Sequence, residues 1–164
     1  MFVLEVCKAL NESRIPYALV GGYAVALHGA VRGTVDIDLV IALDQGSFTA
    51  VDRVLKNLGL QPRLPVAAEQ VYQFREEYIK NRNLIAWSFQ DSQRPIKQVD
   101  IIITHDVKKM YVVSLLVNGI RIKVASIDSL IEMKMQSVRP QDLEDVKALN
   151  EIKKSSSKAT KTKK

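Results

Sequence analysis

Apolar positions along the chain change period several times, and each change marks an element. Phe2, Val3, Val6, Leu10 and Ile15 recur near helical spacing with charged residues between them, and Pro16 stops the helix because it lacks the N–H that the ladder needs. Residues 17–20 form a short apolar run ending in Gly21 and Gly22, followed by a brief helical stretch, 23–28, closed by Gly29. Over residues 35–43 the pattern alternates. Val35, Ile37, Leu39 and Ile41 share one face and Asp36, Asp38 and Val40 the other, which predicts a half-buried strand. Ser47 is placed to cap a helix running to Asn57, with Gly59 as its stop. The polar stretch 69–83 reads as helical, with Pro62 and Pro65 making its approach irregular. Residues 84–90 and 99–104 read as two strands separated by the turn-rich 91–95. The strongest hairpin signal is 112–117, Asn118-Gly119, 120–124, because Asn-Gly suits the positive φ angles of a type I′ turn. Ser126 can cap a helix through Gln136, and Pro140 fits the first turn of a last helix reaching about Ile152. Strands and helices mix without regular βαβ alternation, so the expected class is α+β, a mixed sheet flanked by helices.

At 164 residues the chain has room for one core, and 47% apolar residues suit a globular domain. The net charge of +6 is not spread evenly: residues 153–164 hold six lysines and no acid, leaving 18 basic against 18 acidic residues elsewhere. The expected organisation is one domain over 1–152 and a lysine-rich tail, 153–164, too polar to order itself. A neutral body carries no large nucleic-acid footprint. Cys7 is the single cysteine, which excludes an intramolecular disulfide and a multi-cysteine zinc site. Glu5 and Lys8 interrupt the N-terminal apolar stretch, and no apolar run approaches a membrane span, so the expectation is a cytoplasmic protein without membrane partners.

Asp36 and Asp38 lie two positions apart on the expected strand, so both carboxylates leave the same face. Two such charges repel unless a cation intervenes, and Mg²⁺ is commonly held by one or two carboxylates plus substrate phosphates. A lone Asp-x-Asp is most often a pair of solvated acids; here Gly21-Gly22 precedes it. Glycines at a strand-to-helix junction let backbone N–H groups approach a phosphate, and the helix N-terminus favours negative charge. Arg32 and Thr34 add a guanidinium and a hydroxyl suited to anionic oxygens, or to ordinary loop solvation. Asp100 interrupts the apolar strand Val99, Ile101 to Ile103, where an unpaired charge is costly; it is explained by a cation shared with Asp36 and Asp38, or by pairing with Arg94 or Lys97. His28 reads as packed or solvent-facing, and Tyr72, Phe74, Tyr78 and Trp87 as core and groove residues.

Gly-Gly, then Asp-x-Asp, then a later strand Asp together resemble the DNA polymerase β-type nucleotidyltransferase superfamily. YALVGGYAVALHGAVRGTVDIDLVIAL is similar to the opening half of its small abortive-infection and toxin–antitoxin members. VASIDSLIEMKMQSVRPQDLEDVKAL is similar to their closing Lys…Arg-x-x-Asp-x-x-Asp segment. The resemblance implies a nucleotidyltransferase-like fold and transfer of a nucleoside monophosphate from an NTP to an RNA, tRNA or protein hydroxyl, with release of pyrophosphate. Arg32 and Thr34 are nucleotide-site candidates on their own chemistry; the resemblance implies two Mg²⁺ or Mn²⁺ ions held by Asp36, Asp38 and Asp100, and a triphosphate contacted by Gly21, Gly22 and Lys134. Arg139, Asp142 and Asp145 join the nucleotide site on the same ground, although a helix N-terminal acid paired with Arg139 explains Asp142 equally simply. Gly22 stands where many relatives carry serine, so one phosphate-binding hydroxyl is missing. The second reading is a catalytically weak or inactive fold acting as an antitoxin or regulatory module beside a cognate partner.

Overall fold

The computed structural model describes residues 1–161. Its elements run α1 (Phe2–Glu12), β1 (Tyr17–Val20), α2 (Gly21–Leu27), β2 (Ile37–Ile41), α3 (Gln45–Asn57), β3 (Gln61–Pro62), α4 (Ala68–Gln73) and α5 (Arg75–Arg82). They continue with β4 (Ala86–Gln90), β5 (Gln98–Ile102), a 3₁₀ turn (Val107–Lys109), β6 (Val112–Val117), β7 (Ile120–Ala125), α6 (Ile127–Ser137) and α7 (Pro140–Lys161). The strands form one seven-stranded sheet ordered β3-β4-β5-β2-β1-β7-β6. β1 with β7 and β2 with β5 are parallel pairs in an otherwise antiparallel arrangement. This is the mixed α+β sheet that the pattern implies.

Burial differs between the middle and the flank of the sheet, and that difference creates the site. β1 is buried throughout. β4 and β5 alternate strictly between half-buried and buried positions, so helices cover one of their faces and leave the other accessible. On the covered face Trp87 stacks on Phe48 of α3, ring centroids 5.8 Å apart, and meets Phe89 edge-on at 4.6 Å. The accessible face carries Ala86, Ser88, Gln98, Asp100 and Ile102, so Asp100 sits on a reachable surface rather than inside the apolar layer.

Several boundaries differ from the periodicity for identifiable reasons. The strand expected over 35–43 contracts to β2, because β1, its antiparallel neighbour, ends its pairing at Val20 opposite Asp38 and the chain then turns into α2. Asp44, not Ser47, caps α3: its carboxylate accepts from the Ser47 N–H at 2.7 Å. The single helix expected over 69–83 divides at Phe74, and Asn83 closes α5 in the left-handed region at φ 49°. At the hairpin, Asn118 and Gly119 adopt φ 48° and 77°, as a type I′ turn requires. His28 is a structural residue, its ring bonded to the Ala125 carbonyl at 2.8 Å.

Residues 153–161 are not irregular, as their composition suggests, but continue α7; residues 162–164 lie outside the described segment. The hydroxyls of Ser155, Ser156, Ser157 and Thr160 bond back to carbonyls four residues earlier, which satisfies them without leaving the helix. Lys153 reaches Asp128 at 2.6 Å, but both side chains are more than half exposed, a pairing that contributes little. Residues 153–160 are all exposed, so deletion from 154 onward should leave stability within about 0.5 kcal/mol of the full chain in a thermal melt. A drop of several degrees would show instead that these turns support the body.

Candidate active site

Parallel pairing of β2 with β5 sets Asp38 directly beside Asp100, with Ile37 opposite Val99 and Leu39 opposite Ile101. Paired residues emerge on the same face, so the two carboxylates share the accessible side while their apolar neighbours enter the core. Asp36 precedes the strand and is exposed. Among the described residues no three His, Cys, Asp or Glu side chains are gathered tightly enough to hold a metal by themselves. The arrangement is a pair, Asp38 and Asp100, with Asp36 standing off it.

The electrostatics follow from this placement. Burial, then the nearby charges of Asp100 and Asp36, push the Asp38 carboxyl up to about 7, against the opposing pull of Lys134 and Arg139. Asp100 is held by the Gln98 amide, which donates to both carboxylate oxygens at 3.0 and 3.2 Å. A divalent cation fits this pair: it supplies the missing positive charge, and hard carboxylate oxygens are its preferred protein ligands.

Gly21 is required by packing as well as by backbone conformation, and Gly22 by packing. Gly21 has φ 65°, and a Cβ there would stand 1.9 Å from Oδ2 of Asp38. A Cβ on Gly22 would stand 2.6 Å from Oγ1 of Thr34, so the Thr34 hydroxyl fills the space that a serine at position 22 would use. Gly21→Ala is therefore expected to cost about 1–2 kcal/mol from the left-handed backbone alone and to displace Asp38. A melt together with a nucleotide titration checks this; parent-like behaviour in both would show that the turn has slack.

Lys134, on α6, is buried at 8% exposure and donates to Asp145 at 2.7 Å and Asp142 at 3.4 Å. Asp145 also accepts from Arg32 Nε at 3.2 Å, and Asp142 from Arg139 Nε at 2.9 Å and from the Ser137 hydroxyl. Burial alone would raise the Asp142 carboxyl, but the hydrogen bonds from Arg139 and Ser137 prevail and hold it at about 2. The expected nucleotide residues Arg32, Lys134, Arg139, Asp142 and Asp145 thus form one ion network beside Asp38. Within it the two buried acids hold the cations, and Lys134, Arg139 and Asp142 line the cavity beside Asp38.

Comparison of this fold with solved structures gives a consistent result. LnuA, a lincosamide antibiotic adenylyltransferase in a lincomycin-bound structure, superposes with TM-score 0.63 over 92% of this chain and 96% of its own, at 13% identity. ANT(2″)-Ia, in complex with adenylyl-2″-tobramycin, gives 0.58 over 90% and 84%, at 12% identity. An antigenic nucleotidyltransferase-like protein from Paracoccidioides brasiliensis gives 0.57 over 90% and 72%, at 19% identity. This chain has the nucleotidyltransferase fold. No family profile and no curated protein matches the sequence itself, so the likeness is one of backbone architecture.

In this nucleotidyltransferase-fold protein a cavity of about 390 Å³ is lined by Gly21, Asp38, Lys134, Arg139 and Asp142. It continues between α6 and the end of β5, past Ile102, Thr104, His105, Met133 and Gln136. The sequence reading did not single out Gln98, Thr104, His105 or Gln136. Gln98 was the most accessible to it, two positions before Asp100 on one strand face.

Proposed function

We propose that the protein transfers a nucleotidyl group from an NTP to a hydroxyl-bearing acceptor, assisted by Mg²⁺ or Mn²⁺ at Asp38 and Asp100. The observation that carries this reading is the register pairing of those two carboxylates beside a glycine turn and the Lys134–Arg139 cations. A bound divalent cation would neutralise developing charge on the phosphates and on the acceptor oxygen. Asp38 and Asp100 would hold it, and Asp36, at the foot of β2, is the third expected ligand.

The chain's own residues then have separable tasks. Gly21 leaves room for the Asp38 carboxylate and Gly22 for the Thr34 hydroxyl. Two of the three Lys134 donors serve Asp142 and Asp145, which leaves one for a ligand in the cavity. Arg139 brings a second positive charge, and the Thr34 hydroxyl stands in the place of the missing serine. In the transfer, the acceptor oxygen bonds to the α-phosphorus as the bond to the bridging oxygen breaks and pyrophosphate leaves. The acceptor's proton goes to Asp100, which Gln98 holds in position.

The acceptor is best screened among RNA and tRNA, protein hydroxyls including a cognate toxin or antitoxin, and small molecules such as those the structural neighbours carry. Titration calorimetry with Mn²⁺ and each NTP, for the parent and for Asp100→Asn, tests the site. Metal-dependent NTP binding that the substitution abolishes supports the reading. Nucleotide binding without transfer to any acceptor would favour a regulatory module, for which the exposure of Asp36, outside β2, is the structural argument. Absence of metal-linked nucleotide binding would remove the proposal.

A further inference from the structure

The cavity beside Asp38 has a lining of two kinds. Lys134 and Arg139, with Asp142, make it charged; Ile102 and Met133 make it apolar, beside the polar groups of Thr104, His105 and Gln136. Those last three form a hydrogen-bonded chain. His105 Nε2 lies 3.1 Å from the Gln136 amide oxygen, and His105 Nδ1 lies 2.8 Å from the Thr104 hydroxyl. An amide oxygen only accepts, so Nε2 carries the proton and donates to it. In the neutral ring Nδ1 is then the acceptor, and the Thr104 O–H donates. The chain fixes Gln136 with its oxygen occupied and its NH₂ group, unbonded among the described residues, presented at the cavity.

We propose that this part of the cavity is the nucleobase subsite and that Gln136 reads the base edge, an inference that rests on the nucleotide reading above. An apolar slot bearing one oriented amide donor suits a planar heterocycle with a hydrogen-bond acceptor on its rim. The apolar and the cationic residues line one cavity of about 390 Å³, so a base tethered through one sugar to phosphates held by the cations stays within reach of the slot. Asp100, the carboxylate assigned to the acceptor's proton, shares its sheet face with Asp38 and Ile102 but does not itself line this cavity; its other neighbour on that face is Ser88 of β4. The acceptor therefore approaches Asp100 from the Ser88 side, and the slot is left to the base.

The test is titration calorimetry in Mn²⁺ with ATP, GTP, CTP and UTP, and with inorganic triphosphate as a ligand that lacks a base. Parent, Gln136→Met and Met133→Trp are compared; Gln136 is exposed, so its replacement leaves the core intact. In the parent, the preferred NTP binds more tightly than triphosphate. Met133→Trp, which fills the slot, weakens that NTP by about tenfold and leaves triphosphate unchanged. Gln136→Met brings the four NTPs to within about threefold of one another, as loss of an uncharged hydrogen bond implies. If parent and variants share the same affinities and ranking, the base lies elsewhere and the inference fails while the nucleotide reading stands. If NTP binding is unchanged and only transfer to an identified acceptor falls, the slot belongs to the acceptor and the inference fails. If the parent binds neither NTP nor triphosphate, both readings fall together.

Discussion

Replacing Asp38 with asparagine is expected to abolish nucleotidyl transfer and, at the same time, to raise the melting temperature of the metal-free protein at pH 8. Both effects have one origin. In the folded state the Asp38 carboxyl is pushed up to about 7 by burial and by the charges of Asp100 and Asp36, whereas the unfolded chain ionises it near the usual carboxylate value. The folded form thus binds the proton more tightly, so stability is greatest below about pH 4, falls as pH rises, and is lowest above about pH 7. The scale of that loss is on the order of 4 kcal/mol, and each kcal/mol relieved is worth roughly 2–4 °C in a chain of this size. Asparagine cannot ionise, so the variant should lack this fall. Divalent metal should stabilise the parent more at pH 8 than at pH 5, because it competes with the proton, and should stabilise the variant less. Transfer should fall by at least about a hundredfold, the scale for removing one preorganised electrostatic partner. Melting curves from pH 5 to 8, with and without Mn²⁺, together with an assay of transfer, decide the matter. A variant that keeps the parental slope and turnover would place Asp38 outside the site.

Lys134→Met should destabilise the protein by about 3 kcal/mol and weaken NTP binding. The cost arises because Asp142 and Asp145, at 2% and 3% exposure, would each lose a cationic partner while remaining buried. Arg139 and Arg32 still contact them, which places the effect at the low end of the range for a broken buried ion pair. Adding Asp145→Asn should recover part of the stability but none of the binding, because it removes the orphaned charge without restoring the cation. The same network predicts an acid limb of opposite sign to that of Asp38. Asp142 is held at about 2, below its unfolded value, so its contribution is complete above about pH 4 and is lost as pH falls through 2. Denaturation in urea at pH 7 measures the first effect. A Lys134→Met protein as stable as the parent would show that the arginines satisfy both acids alone.

Much of the architecture was legible because it is written in local chemistry. The alternation around Asp38 announces a half-buried strand, Asn118-Gly119 announces a type I′ hairpin, and Ser126 caps α6 as its position suggests. Asp100 betrayed itself as the one charge in an apolar run, and its pairing with Asp38 follows from register rather than from any motif. What the sequence alone determined is therefore the strands β1, β2 and β4 to β7, the hairpin turn and the cap of α6, together with the face on which Asp38 emerges, since a period of two or 3.6 and a turn's φ angles depend only on near neighbours. Where β2 begins was decided by β1 ending at Val20, opposite Asp38, which leaves Asp36 before the strand and exposed. That Asp142 and Asp145 hold cations was decided by contacts spanning up to 113 residues, between Arg32 and Asp145. The Thr34 hydroxyl beside Gly22 and the Thr104–His105–Gln136 chain likewise exist only once distant segments meet. Periodicity says which way a side chain points, but its charge partners and the free space around it are properties of whatever the folded chain brings opposite.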